Sequence, residues 1–218
     1  MMRDLVRFFR VVPPVPSLMV VTFLVVTIVS VAAIAIDRSL VAGMLKAVLV
    51  VQLFAVSSGF VGHARRGHYD LLLTRGDDRV AIALVHWALS AAPGIASWLS
   101  VAAAESVISL GHAGVSVASG SIVAVVIVST APWAFTAFLP RFAAAIGWLA
   151  VFAVCVAVRS SLPVALPLVT LVYPLALVGI DIRSQLGAAA LPLGVALIST
   201  GAALFAIRRV SIPLDGAQ

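Results

Sequence analysis

The chain is poor in charge, in lysine and in cysteine, and each shortage excludes something. It carries one lysine and one cysteine in 218 residues, and Asp, Glu, Lys and Arg together make up only 10%. A soluble domain carries roughly 25%, so a water-soluble globule is excluded. The cysteine, Cys155, lies in an apolar run; it cannot form an intrachain disulfide and reads as a small packed hydrophobe. The lysine, Lys46, also lies in an apolar run, and no Gly-x-x-x-x-Gly-Lys-Ser/Thr loop exists with which to bind ATP. His63, His68, His86 and His112 show neither i, i+4 pairing nor His-Glu-x-x-His spacing, so no metal site is expected and interfacial histidines are. Ser57-Ser58-Gly59 and Asp77-Asp78 lack the partners that membrane proteolysis or phosphoalcohol transfer would need. No catalytic residue and no enzyme is expected.

Apolar sequence fills the space. Hydrophobic residues make up 63% and the mean hydropathy is +1.21, more than a buried core of this length absorbs, so lipid is the solvent. The runs are long and lack the alternation of a barrel, which leaves α-helices. The formal charge is +6 and the pI about 11.0. The arginines nevertheless sit at the ends of apolar runs, which fits bilayer orientation and anionic headgroups rather than nucleic acid.

Six spans are readable: Ser17–Ile36, about Leu40–Gly62, Val80–Ala104 with Pro93-Gly94 as a kink, Val115–Leu139, Phe142–Val158 and Leu186–Ile207. Arg3, Arg7 and Arg10 precede the first, and Ala33-Ile34-Ala35 is similar to a signal-peptidase site. Twenty uncharged residues exceed a secretory h-region of about 7–15, however, so a retained signal-anchor helix is expected. With the N-terminus inside, ten arginines fall on the cytoplasmic side and three (Arg38, Arg159, Arg183) outside. Residues 1–12 read as an interfacial amphipathic helix, with Leu5, Phe8, Phe9 and Val12 on one face. Residues 160–181 contain Pro163, Pro167 and Pro174, and an outer re-entrant hairpin is expected there in preference to a seventh span. The whole, residues 1–218, is one transmembrane domain.

Between two of these spans lies a charged island at residues 63–79. As a helix it puts Tyr69, Leu72 and Leu73 on one face, with Gly67 able to start the turn and Gly76 to end it. The segment Gly67-His68-Tyr69-Asp70-Leu71-Leu72-Leu73-Thr74-Arg75-Gly76-Asp77-Asp78-Arg79, followed by Val80, Ile82 and Leu84, resembles a signature of ABC-2 type permeases. Asp70 stands where that family has glutamate, and Gly76 where it has proline. The family has an interfacial N-terminal helix, six spans and a hairpin between spans five and six, so the resemblance covers nearly the whole chain.

The resemblance implies that 63–79 is a coupling helix docked on a separate cytoplasmic ABC ATPase, which binds ATP and Mg. Tyr69, Leu72 and Leu73 would be apolar anchors; Gly67, Asp70, Arg75, Asp77, Asp78 and Arg79 complete the docking set. It also implies a second permease copy or paralogue and export of a hydrophobic or amphipathic substrate from a bacterial plasma membrane. Within the spans, Lys46 and Gln52 are candidates for the substrate path, although snorkelling explains Lys46 equally well. Glu105 reads as a solvated terminus. The alternatives are a non-transporting membrane scaffold subunit and an ion-coupled carrier; the latter should show buried acids, and none lies near mid-membrane.

Overall fold

A computed structural model describes residues 8–9, 13–57, 60–64, 67, 69–70, 72, 78–109, 119–136, 146–147, 174–178 and 186–209. The described residues are helical, without a strand. Helix α1 (Ser17–Ile36) starts at Pro16, whose extended backbone and missing N–H suit a helix entry. It stops at Asp37, also extended (φ −142°), whose carboxylate accepts from the Ser39 N–H at 2.9 Å and the Ser39 hydroxyl at 2.8 Å. Those bonds turn the chain through a 3-10 turn, Arg38–Leu40, directly into α2 (Val41–Val56). A five-residue helix, α3 (Phe60–Ala64), follows, then α4 (Arg79–Ser109), α5 (Ser119–Phe135), a 3-10 turn at Pro174–Leu177, and α6 (Leu186–Arg209).

Four of these helices are long and apolar enough to cross a membrane, over Ser17–Ile36, Arg38–Val56, Arg79–Ile108 and Pro192–Arg209; α5 is a shorter apolar helix. The chain is a helical, membrane-embedded protein. At 31 residues, α4 is about 46 Å long and outreaches a hydrocarbon core of about 30 Å. It runs one residue earlier and five later than the expected Val80–Ala104. The expected second span is shorter than Leu40–Gly62, since α2 ends at Val56. Apart from residues 146 and 147, the expected fifth span lies outside the described residues, as do residues 1–7 of the interfacial helix and 160–173 of the hairpin.

Two buried clusters mark the two ends of the bundle. One joins Ile34 of α1, Val41 and Leu45 of α2, Val101 of α4, Ala124 of α5 and Ala196 of α6 to Leu175 and Leu177 of the second 3-10 turn. The other, at the island end, joins Phe9, Val56, Phe60, Tyr69 and Leu72 to Ile82 of α4, Trp133 of α5 and Ala203 and Ile207 of α6. The order of these residues along each helix gives direction: α4 runs away from the island end, whereas α2, α5 and α6 run towards it. So α5 and α6 are parallel neighbours. Both helices bury small residues, Ala124, Ala131 and Ala134 on α5 and Ala196 and Ala203 on α6, of the kind that allows close helix approach in lipid. Conversely, Leu18, Leu24 and Ile28 of α1 and Ile198 and Phe205 of α6 point out of the bundle, as lipid-facing residues do.

Candidate functional site

The island folds onto the bundle from its first glycine. Gly67 has φ +73°, a backbone that non-glycine residues rarely adopt, and a Cβ there would meet Asp70 Oδ2 at 2.9 Å. Its N–H donates to Ala64 O (3.0 Å), tying the turn to the end of α3, and its carbonyl accepts from Asp70 N–H (3.3 Å). The expectation that Gly67 starts this turn is met. Leu72 N–H then donates to Tyr69 O (3.0 Å). At the far side Asp78 caps α4: its carboxylate accepts from Val80 N–H at 3.0 Å and its carbonyl from Ile82 N–H at 3.0 Å.

Tyr69 is 0% exposed and Leu72 3%. The Tyr69 ring stacks on Phe60 (centroids 5.3 Å, planes 6° apart), meets Phe9 edge-on at 5.8 Å, and faces His86 at 6.0 Å and His63 at 6.1 Å. Such offset and edge-on pairs are each worth about 0.5–1.5 kcal/mol beyond area burial. Tyr69 and Leu72 thus pack into their own chain. The expectation gives both residues to a partner's groove; here their side chains are covered within this chain. Of the remaining docking candidates, Asp78 and Gly67 are exposed and Asp70 and Arg79 half-buried. Leu73, Arg75, Asp77 and Gly76 lie outside the described residues.

Two of the four histidines differ from the interfacial expectation, while His68 and His112 lie outside the described residues. His63 and His86 are buried, with ring centroids 5.1 Å apart. Among the described residues, neither nitrogen of His86 has a hydrogen-bond partner. Among the described residues no group of three or more His, Cys, Asp or Glu could hold a metal.

His86 begins a longer pattern. Ile82, His86, Ser90, Gly94, Ser97, Val101 and Glu105 recur at helical spacing and form the buried stripe of α4. In lipid the polar and small residues turn inward, the reverse of a soluble helix. Near the middle of the stripe, Gln52 of α2, 1% exposed, spends both amide hydrogens on its neighbours: Ala91 O of α4 at 3.1 Å and Ser129 Oγ of α5 at 3.1 Å. Trp87 of α4 donates from Nε1 to Ser129 O at 2.7 Å. A Cβ on Gly94 would coincide with the Gln52 amide, so only glycine leaves the room this side chain needs. Further along, Thr27 of α1 and Ser97 of α4 share a hydrogen bond. Arg38 reaches across to the carbonyl of Ile108, near the end of α4.

Glu105 is 3% exposed, which corrects its reading as a solvated terminus: it lies on the inward stripe. Lys46 is half-buried on α2, six residues before Gln52. At the turn between α1 and α2, the Ser39 N–H, with help from the Ser39 hydroxyl, holds the Asp37 carboxyl below its ordinary range.

No protein-family model matches the chain, and no curated protein or solved structure matches it.

Proposed function

We propose that the chain is the membrane-spanning permease subunit of an ATP-driven exporter of the ABC-2 type in a bacterial plasma membrane. A separate cytoplasmic ATPase binds ATP and Mg, and a second permease, a copy or a paralogue, completes the assembly. The observation that carries the reading is the seat of the island. Within the charged segment, Tyr69 and Leu72 pack onto Phe9, Phe60 and the first turns of α4, so the segment is held at these points. Force applied to it from the water side reaches α4 directly.

The parallel run of α5 and α6 supports six spans. The chain leaves α5 at the island end and enters α6 at the opposite end, so the proposal takes an odd number of crossings between them. One crossing by Phe142–Val158 meets that need, with 160–181 returning on the side it left from; a further full span would reverse α6. The contact of the Pro174–Leu177 turn with α5 and α6 in the cluster remote from the island agrees.

In this reading the docking face is Gly67, Asp70, Asp78 and Arg79 with Leu73, Arg75 and Asp77, while Tyr69 and Leu72 hold that face to the bundle. Cargo is hydrophobic or amphipathic. Two observations favour other readings. The inward turn of Tyr69 and Leu72 leaves fewer apolar anchors for a partner, which suits a non-transporting scaffold; the buried Glu105 suits an ion-coupled carrier. Gentle detergent extraction followed by affinity capture on this chain and mass spectrometry tests the proposal. A stoichiometric soluble protein with a P-loop, whose ATPase rate changes on binding, is the expected result. Capture of membrane proteins alone, or a bound ATPase whose rate is unmoved, overturns it.

A further inference from the structure

We infer that α4 is a lever of two segments jointed at Pro93-Gly94, and that Gln52 is the positioning residue that pins the joint. Pro93 has no N–H, so the carbonyl four residues earlier, at Leu89, loses its helical donor, and the ring crowds that carbonyl. A proline is the commonest cause of a sharp bend in a helix, and Gly94 beside it carries no side chain to resist one. The helix is nevertheless continuous from Arg79 to Ser109.

Gln52 straddles the weak point. Its Nε2 donates to Ala91 O just before the proline, and its amide rests in the space over Gly94 just after it. Because Ala91 O can only accept, the amide nitrogen must face it, which leaves Oε1 towards Gly94, without a hydrogen-bond partner. The second hydrogen of Nε2 goes to Ser129 Oγ on α5, and Trp87, on the first segment, donates to the carbonyl of that same Ser129. Three helices therefore meet on one side chain beside Pro93.

The two segments are attached to different things. The first, Arg79–Ala92, carries Ile82 and His86 in the island seat. The second, Gly94–Ser109, is tied to α1 through Thr27 and Ser97 and to Arg38 through the Ile108 carbonyl. A pinned joint transmits displacement of the island to the opposite end of the bundle; an unpinned one lets the segments bend independently. That this displacement drives transport rests on the permease reading; the pin itself does not.

The test uses the full chain in lipid nanodiscs with no ATPase present, in a Cys155→Ser background with spin labels at Ala88 and Ala103, both exposed on α4. These sites are about 22 Å apart along a straight helix. The unaltered joint gives one narrow distance distribution. Gln52→Met, which keeps length but removes both donors, broadens or displaces it by several ångströms, and adding Pro93→Ala restores the narrow form. Ser129→Ala, a smaller change that is safer for folding, broadens it in part. A distribution unmoved by both Gln52→Met and Ser129→Ala overturns the inference. So does broadening that Pro93→Ala fails to reverse, because that is general loosening and not motion at the joint. Neither result depends on whether an ATPase partner exists.

Discussion

Gln52 and Gly94 fit together so closely that a single methyl group on the glycine would occupy the place of the glutamine amide. The relationship is steric as well as polar, and the two parts separate by mutation. Gly94→Ala should destabilise the bundle by about 1–3 kcal/mol, the usual cost of overpacking. Gln52→Ala/Gly94→Ala should recover part of that loss, since the new methyl enters the space the amide vacates. Retention of the folded, monodisperse fraction after heating in detergent measures both. If the double variant is less stable than the sum of the singles, the two residues do not share one space.

The island seat predicts a division between its residues. Tyr69→Ala removes a fully buried ring from a cluster of five aromatic neighbours and should cost about 3–5 kcal/mol. Leu72→Asp buries a charge and should unfold the seat altogether. Asp70→Lys, at a half-buried position outside the aromatic contacts, should leave thermal survival near that of the parent. Equal survival of all three would mean that the island is not packed as described.

Asp78 has a structural duty besides any role in docking. Asp78→Ala removes the cap of α4 and should cost about 1 kcal/mol, with Asp78→Ser losing much less. Hydrogen exchange at Val80 and Ile82 reports it: faster exchange in Asp78→Ala and near-normal exchange in Asp78→Ser are expected.

Asp37 supplies a pH dependence of known sign. Its folded carboxyl is depressed by the Ser39 N–H first and the Ser39 hydroxyl second. A depressed group stabilises above its unfolded value and loses that contribution as pH falls through the folded one, so the turn between α1 and α2 should loosen only below the ordinary carboxylate range. Carbon NMR of the Asp37 carboxyl should titrate below the ordinary 3.8; a midpoint at or above that value would mean the Ser39 bonds do not form.

The sequence was most readable where one solvent decides everything. Twenty uncharged residues ended by Asp37 fix α1 to the residue, because lipid tolerates nothing else. The end of α2 is less legible: the expected span runs on to Gly62 through Ser57-Ser58-Gly59, whereas the helix stops at Val56. The inward stripe of α4 was present as plain helical spacing from His86 through Ser90, Gly94 and Ser97 to Glu105. Taken singly, Glu105 reads as a terminus and His86 as interfacial. Their periodicity is the signal that would have found them. Tyr69 and Leu72 share a face by spacing, but a periodic pattern cannot say whether that face meets a partner or its own bundle. Only the approach of Phe9, sixty residues earlier in the chain, and the stacking of Phe60 decide it.

The claim that the outer face of the island meets an ATPase is tested most directly by a photo-cross-linking residue at Asp70, activated in intact membranes, with the same residue at buried Leu72 as the internal control. The account predicts that Asp70 captures a soluble P-loop protein, whereas Leu72 yields products within this chain alone. Capture by Asp70 of lipid or of this chain only, in membranes where the protein is folded, would contradict it.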